Sequence, residues 1–370
     1  MADYVLTTHT MWTEAPRIRH QLARLLRDAG HRVLFIERAG QFGRERSTSP
    51  AEVERSIWTC RGTRLLHHQL RVLPSMHRAD AAFVGPQLAQ LANGWARGSD
   101  FTIVNFMHDG WYLPKYLPGH RLMTIIHDDF EAQSRLPFHS HISWCVRRTC
   151  QASDRVFAVS VPLCERLSRW SDVELFLPWS TTPYAPPRVT AAARDVLLFW
   201  GYVDNALDVP LINRIAEARP DLRIELVGPT QTRGARERIL SEVSGRRNVC
   251  LRSPQDLEAM DIDAVLCGFL PYRRTPAIDA VTLANKSLQL LAKGLPLVIA
   301  GMPHFLRRPF IVRCDSPSGI DHAISAVRDN FDAWQPGIQR LLAEESAAAR
   351  LAQLGVDSVS PRSPGPAGFR

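Results

Sequence analysis

Between Val265 and Ala300 the chain reads as strand, polar loop, helix and strand, and few folds accept that order at that spacing. Val265–Leu270 is an apolar run of buried-strand type that stops at Pro271. A polar loop with Tyr272, Arg273 and Arg274 follows. A helix then opens near Asn285 and closes at Gly294, and Leu297–Ala300 is the second apolar run. Gly294 suits a left-handed helix end, and Pro296 forbids continuation. Two strands joined through a helix run parallel, so the stretch predicts an α/β protein built on parallel sheet.

The helix has two faces. Ala284, Leu288, Leu291 and Ala292 form one stripe and should pack on the sheet, whereas Lys286, Gln289 and Lys293 share the opposite one. A loop at the carboxyl end of a parallel strand is where such sheets bind ligands. The unpaired N–H groups and positive dipole end of the helix favour a phosphate there, and Lys286 adds a full charge. The competing reading is a solvated stripe on an ordinary crossover helix. No specific phosphate motif in the sequence decides between them.

The same rhythm runs through both halves of the chain. In the first, Tyr4–Thr7, Arg32–Glu37, Phe101–Phe106, Leu122–Ile126, Val156–Val159 and Glu174–Leu177 read as strands, with helices at about 16–29, 81–97, 142–152 and 162–169. Residues 39–63 read as irregular, and Leu70–Leu73 as a further short strand. In the second, strands at Val196–Trp200, Arg223–Val227, Val249–Leu251 and Ile311–Cys314 accompany the two already named. Helices are expected there at 206–218, 232–243, 255–260, 319–330 and 335–354. Residues 178–195 are rich in proline and small polar residues and read as a linker. The prediction is a first domain at 1–180, a second at 181–334, a helix at 335–354 able to cross back to the first, and a disordered Pro/Gly/Ser tail at 355–370. A chain of 370 residues with 45% hydrophobic content can bury two cores.

The net charge is +8, carried almost wholly by arginine, since the only lysines are Lys115, Lys286 and Lys293. Such a balance suits a nucleotide, a phosphorylated lipid or an anionic membrane surface. The basic residues are scattered and match no nucleic-acid module, so nucleic acid ranks last. Seven cysteines without C-x-x-C spacing argue against a disulfide framework and a structural zinc site. No signal-peptide pattern opens the chain and no apolar run reaches the ~20 residues of a spanning helix, so a cytoplasmic protein is expected.

The Leu122–Ile126 strand ends on His127-Asp128-Asp129, and His9 follows the first strand. Acidic groups at a strand's carboxyl end sit where a crevice forms, although one aspartate there can equally cap the following segment and the other be solvated. His9 can equally be a hydrogen-bonded histidine in a tight turn.

At this point the residues resemble a known group. LLFWGYVDNALDVPLINRIAEARPDLRIELVGP, NVCLRSPQDL, DAVLCGFLPYRR and ANKSLQLLAKGLPLVIA together resemble the donor domain of GT-B glycosyltransferases. TTHTMWTEAPRIRHQLARLLRDAGHRVLFIE and the strand ending in HDDF resemble the acceptor domain. Within the group the motifs are most similar to xanthan-type, membrane-associated glucuronosyltransferases. The resemblance implies two Rossmann-like domains facing across a cleft, a UDP-sugar donor and a glycan or lipid-linked acceptor, with no further cofactor and no metal. It also implies peripheral contact with an anionic membrane on its inner face.

Carried over position by position, the resemblance puts Gly201, Tyr202, Val203, Tyr272, Arg273, Asn285, Lys286 and Gln289 at the donor, and Asp128 and His9 at the catalytic centre. Val203 and Asn285 stand where that family has methionines, and Pro254 and Gln255 where it has a glutamate and a methionine. Val281 and Gln289 occupy the two positions of the E-x7-E pattern of retaining GT-B enzymes, which points to inversion. Inverting transfer needs a base for the acceptor hydroxyl, either Asp128 or His9 oriented by Asp128, and a cation for the leaving diphosphate, for which Lys286 and Arg273 are candidates. Two other functions share such a scaffold: nucleotide-sugar epimerisation, and non-catalytic nucleotide-sugar binding within a transferase complex.

Overall fold

The computed structural model describes residues 1–41, 49–66, 71–98, 100–132, 140–230 and 234–356. It divides the chain into two compact units, Met1–Phe176 with the stretch from Arg350 onward, and Leu177–Ala349. The boundary lies at Phe176/Leu177 and not at 180/181, because the first polar residues of the expected linker are bound to the second unit. Ser180 and Thr182 donate from their hydroxyls to Gln289 Oε1 at 3.3 and 2.8 Å.

The first unit runs β1 (Asp3–Thr7), α1 (Ile18–Asp28), β2 (Arg32–Ile36), β3 (Gly40–Gln41), β4 (Ala51–Glu54), β5 (Ile57–Cys60), β6 (Thr63–Arg64) and α2 (Pro74–Trp95). It continues with β7 (Thr102–Asn105), α3 (Leu113–Tyr116), β8 (Arg121–Ile126), α4 (Ser140–Ala152), β9 (Arg155–Ala158), α5 (Val161–Leu167) and β10 (Val173–Leu175). The main sheet has the order β10-β9-β8-β7-β1-β2-β5-β4, parallel except at β4–β5. β1 and β2 are buried at every residue, as strands covered on both faces must be, which explains why they read as unbroken apolar runs.

The described residues of 39–63 are not irregular throughout. Ile57–Cys60 extends the sheet beside β2, and β4 is an edge strand with its first three residues exposed. An edge open to water leaves no apolar alternation to read. Helix α2 starts at Pro74, seven residues before the expected Ala81. Proline suits a first helical position, while buried His77 and Asp80 break the apolar period. The strand expected at Leu70–Leu73 begins outside the described residues, and Leu73 is the extended cap of α2.

The second unit runs β11 (Val196–Trp200), α6 (Val209–Ala218), β12 (Arg223–Val227), α7 (Ala235–Val243), β13 (Val249–Arg252), β14 (Val265–Pro271), α8 (Pro276–Asp279) and α9 (Asn285–Ala292). After it come β15 (Leu297–Ala300), β16 (Ile311–Arg313), α10 (Pro317–Glu344) and α11 (Ala347–Leu354). Its sheet is wholly parallel in the order β13-β12-β11-β14-β15-β16. A Cβ on Gly268 of β14 would lie 2.9 Å from Leu290, so the glycine lets α9 approach the sheet closely. Gly294 (φ +66°) ends that helix, with the Leu295 N–H donating back to Leu290 O at 3.2 Å.

Two expected helices change. Residues 255–260 form a turn, held open because Trp200 Nε1 donates to Gln255 O at 2.9 Å. The break expected before Gln335 is absent. Pro336 lies inside α10, whose buried stripe of Val327, Phe331, Ile338 and Leu341 continues past it. The chain breaks at Glu345–Ser346 instead, and the Ser346 hydroxyl accepts the Ala349 N–H at 3.2 Å. The end of α11 belongs to the first unit, where Gln353 Nε2 donates to Leu175 O at 2.7 Å. The expected tail lies outside the described residues except for Gly355 and Val356.

Candidate functional site

In each of the two large sheets the order of the parallel strands reverses at one neighbouring pair, and crevices of parallel sheets open at such reversals. In the second unit the reversal lies between β11 and β14. Gly201 follows β11, Tyr272 follows β14, and α9 begins after the intervening short helix α8. These positions bring together part of the predicted donor set.

The Lys286 amine sits 4.1 Å from the centroid of the Phe199 ring and 5.3 Å from that of Tyr272. Its other side meets backbone, since a Cβ on Gly201 would lie 2.5 Å from Nζ. Gly201 (φ +137°) is itself stacked on Gly228, where a Cβ would come within 1.9 Å of Gly201 O. Only glycine fits either position. Among the described residues no carboxylate pairs with this amine, and burial lowers its pKa from 10.5 to about 7. Two ring faces partly compensate the charge. An anion would complete it.

The other predicted donor residues divide. Asn285 opens α9, and its Oδ1 is buried without a hydrogen bond among the described residues. Tyr272 is buried, while Arg273 is exposed and donates from Nη2 to Asn205 O at 3.1 Å. Tyr202 is partly buried. Val203 is fully buried and its N–H donates to Pro229 O at 2.9 Å, so its side chain is a core group and not a ligand contact. Gln289 departs most from the expected pattern. It and Lys293 are 5% and 9% exposed, which excludes a solvated stripe. Gln289 accepts the Ser180 and Thr182 hydroxyls and donates to Trp179 O at 3.4 Å, so its amide fastens residues 179–182 to α9.

In the first unit the reversal lies between β1 and β7. His9 follows β1, His108 and Asp109 follow β7, and His127 to Asp129 follow β8, three neighbouring strand ends. Asn105, fully buried, fixes the middle one. It accepts the Thr7 hydroxyl at 2.9 Å and the Met107 N–H at 3.0 Å, and donates to Met107 O at 2.9 Å.

The partner of His9 is Asp109, with Nε2 3.0 Å from Oδ1, and not the expected Asp128. Asp109 Oδ2 takes Arg64 at 3.0 Å and Arg71 at 2.5 Å, and both arginines also reach Asp80, at 3.3 and 3.1 Å. Burial pushes the Asp109 carboxyl up, but the two guanidiniums outweigh it and hold it well below the usual carboxylate range. Burial lowers the pKa of His9, with Asp109 opposing, so the imidazole is neutral at pH 7. The ionised aspartate then receives the Nε2 proton and Nδ1 carries the lone pair, the arrangement of an oriented base.

Asp128 is 40% exposed at its side chain and lies 3.3 Å from His127 Nε2, which Arg19 also contacts at 2.5 Å. Burial, then Arg19, holds His127 well below its ordinary pKa. Asp129 is committed to Arg166 at 2.7 Å and to the Ala132 N–H at 3.1 Å. His9, His108 and Asp109 bring ligand atoms within 4.8 Å of one another and are the residues that could hold a metal. Two guanidiniums on the same carboxylate oppose a cation there. Asp109, Arg64, Arg71 and His108 were not singled out from sequence. A signal existed, since MHDG after β7 repeats the His-Asp of IHDDF after β8.

Residues 15–175 match the family model described as Glycosyltransferase Family 4. No curated protein matches the chain in sequence. Solved structures match its fold. HepE of Anabaena in complex with UDP is 11% identical with a TM-score of 0.64, over 96% of this chain and 98% of that one. The lipopolysaccharide outer core galactosyltransferase WaaB is 10% identical with a TM-score of 0.61, over 96% and 98%. The E. coli structure titled trehalose-6-phosphate, bound with UDP-2-fluoro glucose, is 12% identical with a TM-score of 0.60, over 98% and 100%. The chain carries a glycosyltransferase family 4 domain over residues 15–175 and is built on the GT-B fold of the glycosyltransferases.

Proposed function

We propose that the protein moves a sugar from a UDP-sugar donor to a hydroxyl of a glycan or lipid-linked sugar, with inversion and without a metal. The single observation that carries the reading is the Lys286 amine. It is held between two rings and a glycine backbone at the strand-order reversal of the second unit, with no acidic partner among the described residues. A group desolvated in this way costs the free protein stability and is rewarded only by an anionic ligand, and the diphosphate of a nucleotide sugar is such a ligand. The N–H groups at the start of α9 and the buried Asn285 Oδ1 supply further polar contacts. UDP and a fluorinated UDP-glucose occupy two of the similar structures, in agreement with that ligand class.

In the reaction, oxygen of the acceptor attacks the anomeric carbon and the bond from that carbon to the diphosphate oxygen breaks. His9 takes the hydroxyl proton at Nδ1 while Asp109 holds the imidazolium that forms. Lys286 balances the charge growing on the departing UDP. Inversion rests on the residues at the E-x7-E positions, Val281 and the amide-bonded Gln289. A second assignment of the base keeps Asp128, whose carboxylate is the more exposed group at the neighbouring strand end.

The test is a melting-temperature screen of nucleotides followed by turnover with a panel of sugar acceptors. A UDP-specific rise that Lys286→Met abolishes, and an inverted anomeric proton signal in the product, support the reading. Turnover of UDP-sugar to its epimer without acceptor, or a shift with no chemistry for any acceptor, replaces it with epimerisation or a binding role.

A further inference from the structure

The contacts behind His9 do not end at Asp109. Oδ2 of Asp109 and Oδ2 of Asp80 share the same two donors, Nη1 of Arg64 and Nη1 of Arg71. The four atoms close a ring of alternating charge, with contacts of 3.0 and 2.5 Å to Asp109 and of 3.3 and 3.1 Å to Asp80. None of the four side chains is more than 7% exposed. Two positive and two negative charges cancel, so the ring is neutral.

Helix α2 holds the far side of the ring. Asp80 Oδ1 accepts the backbone N–H of Leu65 at 3.1 Å and that of Leu66 at 3.5 Å. Seven residues further along, on the same side of the helix, Gln87 Oε1 accepts the Thr63 N–H and hydroxyl at 3.1 and 3.0 Å. Its Nε2 donates to Thr63 O at 3.2 Å. Two polar side chains of α2 thus fasten residues 63–66, and with them the backbone that carries Arg64.

Folding alone does not call for such a cluster, since apolar side chains of similar volume in place of a buried ion network are often neutral or stabilising. Nor does His9 need all of it. Asp109 by itself can receive the Nε2 proton and hold the imidazolium. Two arginines on that one acid, however, would leave a surplus positive charge behind the imidazole, where positive charge must form as it takes a proton. Asp80 cancels the surplus. The arginines can then fix the Asp109 carboxylate without opposing the proton that arrives at Nδ1.

We propose that Asp80 is a positioning residue for transfer: through Arg64 and Arg71 it holds Asp109 against His9 and cancels the charge that would resist the imidazolium. It touches no reacting atom and acts only through the ring. The inference rests on the reading of His9 as the base in the function proposed above.

The experiment measures kcat, KM and UDP affinity for the full chain, for Asp80→Asn, for Arg64→Gln and for the double variant, with melting temperatures alongside. Asp80→Asn keeps the shape of the side chain but leaves one surplus positive charge in the ring. It should lower kcat by roughly ten- to a hundredfold, as a unit charge two contacts away does at an effective dielectric of about 20, with KM and UDP affinity unchanged. The double variant is neutral again and should recover kcat to within about fivefold of wild type, a strong positive coupling between the two sites. A purely structural role gives the reverse order, with the double variant slowest because it has lost the most contacts. If Asp80→Asn does not fold, the neutral double variant decides: kcat near wild type supports the proposal, and a rate as low as that of His9→Gln overturns it. Turnover that a folded Asp80→Asn leaves intact overturns the inference alone. Wild-type protein that binds UDP but transfers to no acceptor removes the transferase reading, and the inference with it.

Discussion

Replacing Lys286 by methionine should make the free protein more stable while weakening its grip on UDP. Methionine keeps most of the aliphatic stem against Phe199, Tyr272 and Gly201 but removes the desolvated charge. Lowering the amine from 10.5 to about 7 corresponds to a cost on the order of 5 kcal/mol for holding it protonated. Partial exposure of the side chain and relaxation around it reduce the realisable gain to about 2 kcal/mol. For a unit of this size that raises the melting temperature by roughly 4–8 °C at about pH 6. The sign follows from linkage. The folded pKa lies below the unfolded one, so between about pH 7 and pH 10 the unfolded chain holds more protons and wild-type stability rises with pH. The variant lacks that contribution, and its advantage should shrink as pH rises. UDP affinity should fall by about 1.5–3 kcal/mol, roughly 10- to 150-fold in Kd. Chemical denaturation across the pH range and calorimetric titration with UDP measure both quantities. A variant that is less stable at pH 6, or that binds UDP as tightly as the parent, would falsify the assignment.

His9→Gln should lower kcat by about 10²–10⁴-fold with UDP affinity unchanged, and the wild-type rate should rise with pH through a midpoint below 6.5, where the imidazole loses its proton. Asp109→Asn leaves Arg64 and Arg71 with one buried acid between them and should cost about 3–5 kcal/mol in denaturant unfolding, whereas Asp128→Asn should change stability by less than about 0.5 kcal/mol. If Asp128→Asn removes turnover and His9→Gln does not, Asp128 is the base. Gly201→Ala drives a methyl into the Lys286 amine from a backbone angle alanine disfavours, and should weaken UDP binding at least about tenfold by titration.

The parallel sheets were legible because strands such as Val5 and Leu34 are buried on both faces, so burial alone writes their pattern. The position of Lys286 near the strand-order reversal was legible for a related reason, since the helix that carries it comes after a parallel strand, and crevices of such sheets open there. Edge strand β4 was not, because residues open to water carry no period. The partner of His9 was hidden too. Asp109 lies a hundred positions away, and only the pairing of β1 with β7 brings the two together. Gln289 misled because spacing gives a direction around a helix but not what covers that direction, here Trp179 to Thr182.

The contact between Gly201, Gly228 and Lys286 also bears on how the chain can vary. The three positions form a stack in which each occupies space that a larger neighbour would need. A methyl at 201 is harmful chiefly because a long side chain stands opposite. Shortening residue 286 first should therefore mask much of the steric harm at 201, leaving only its backbone cost. In a library of double substitutions this pair should show strong positive epistasis for folding, and for nucleotide capture as well, because a methyl at 201 takes little more from a grip already weakened by loss of the amine.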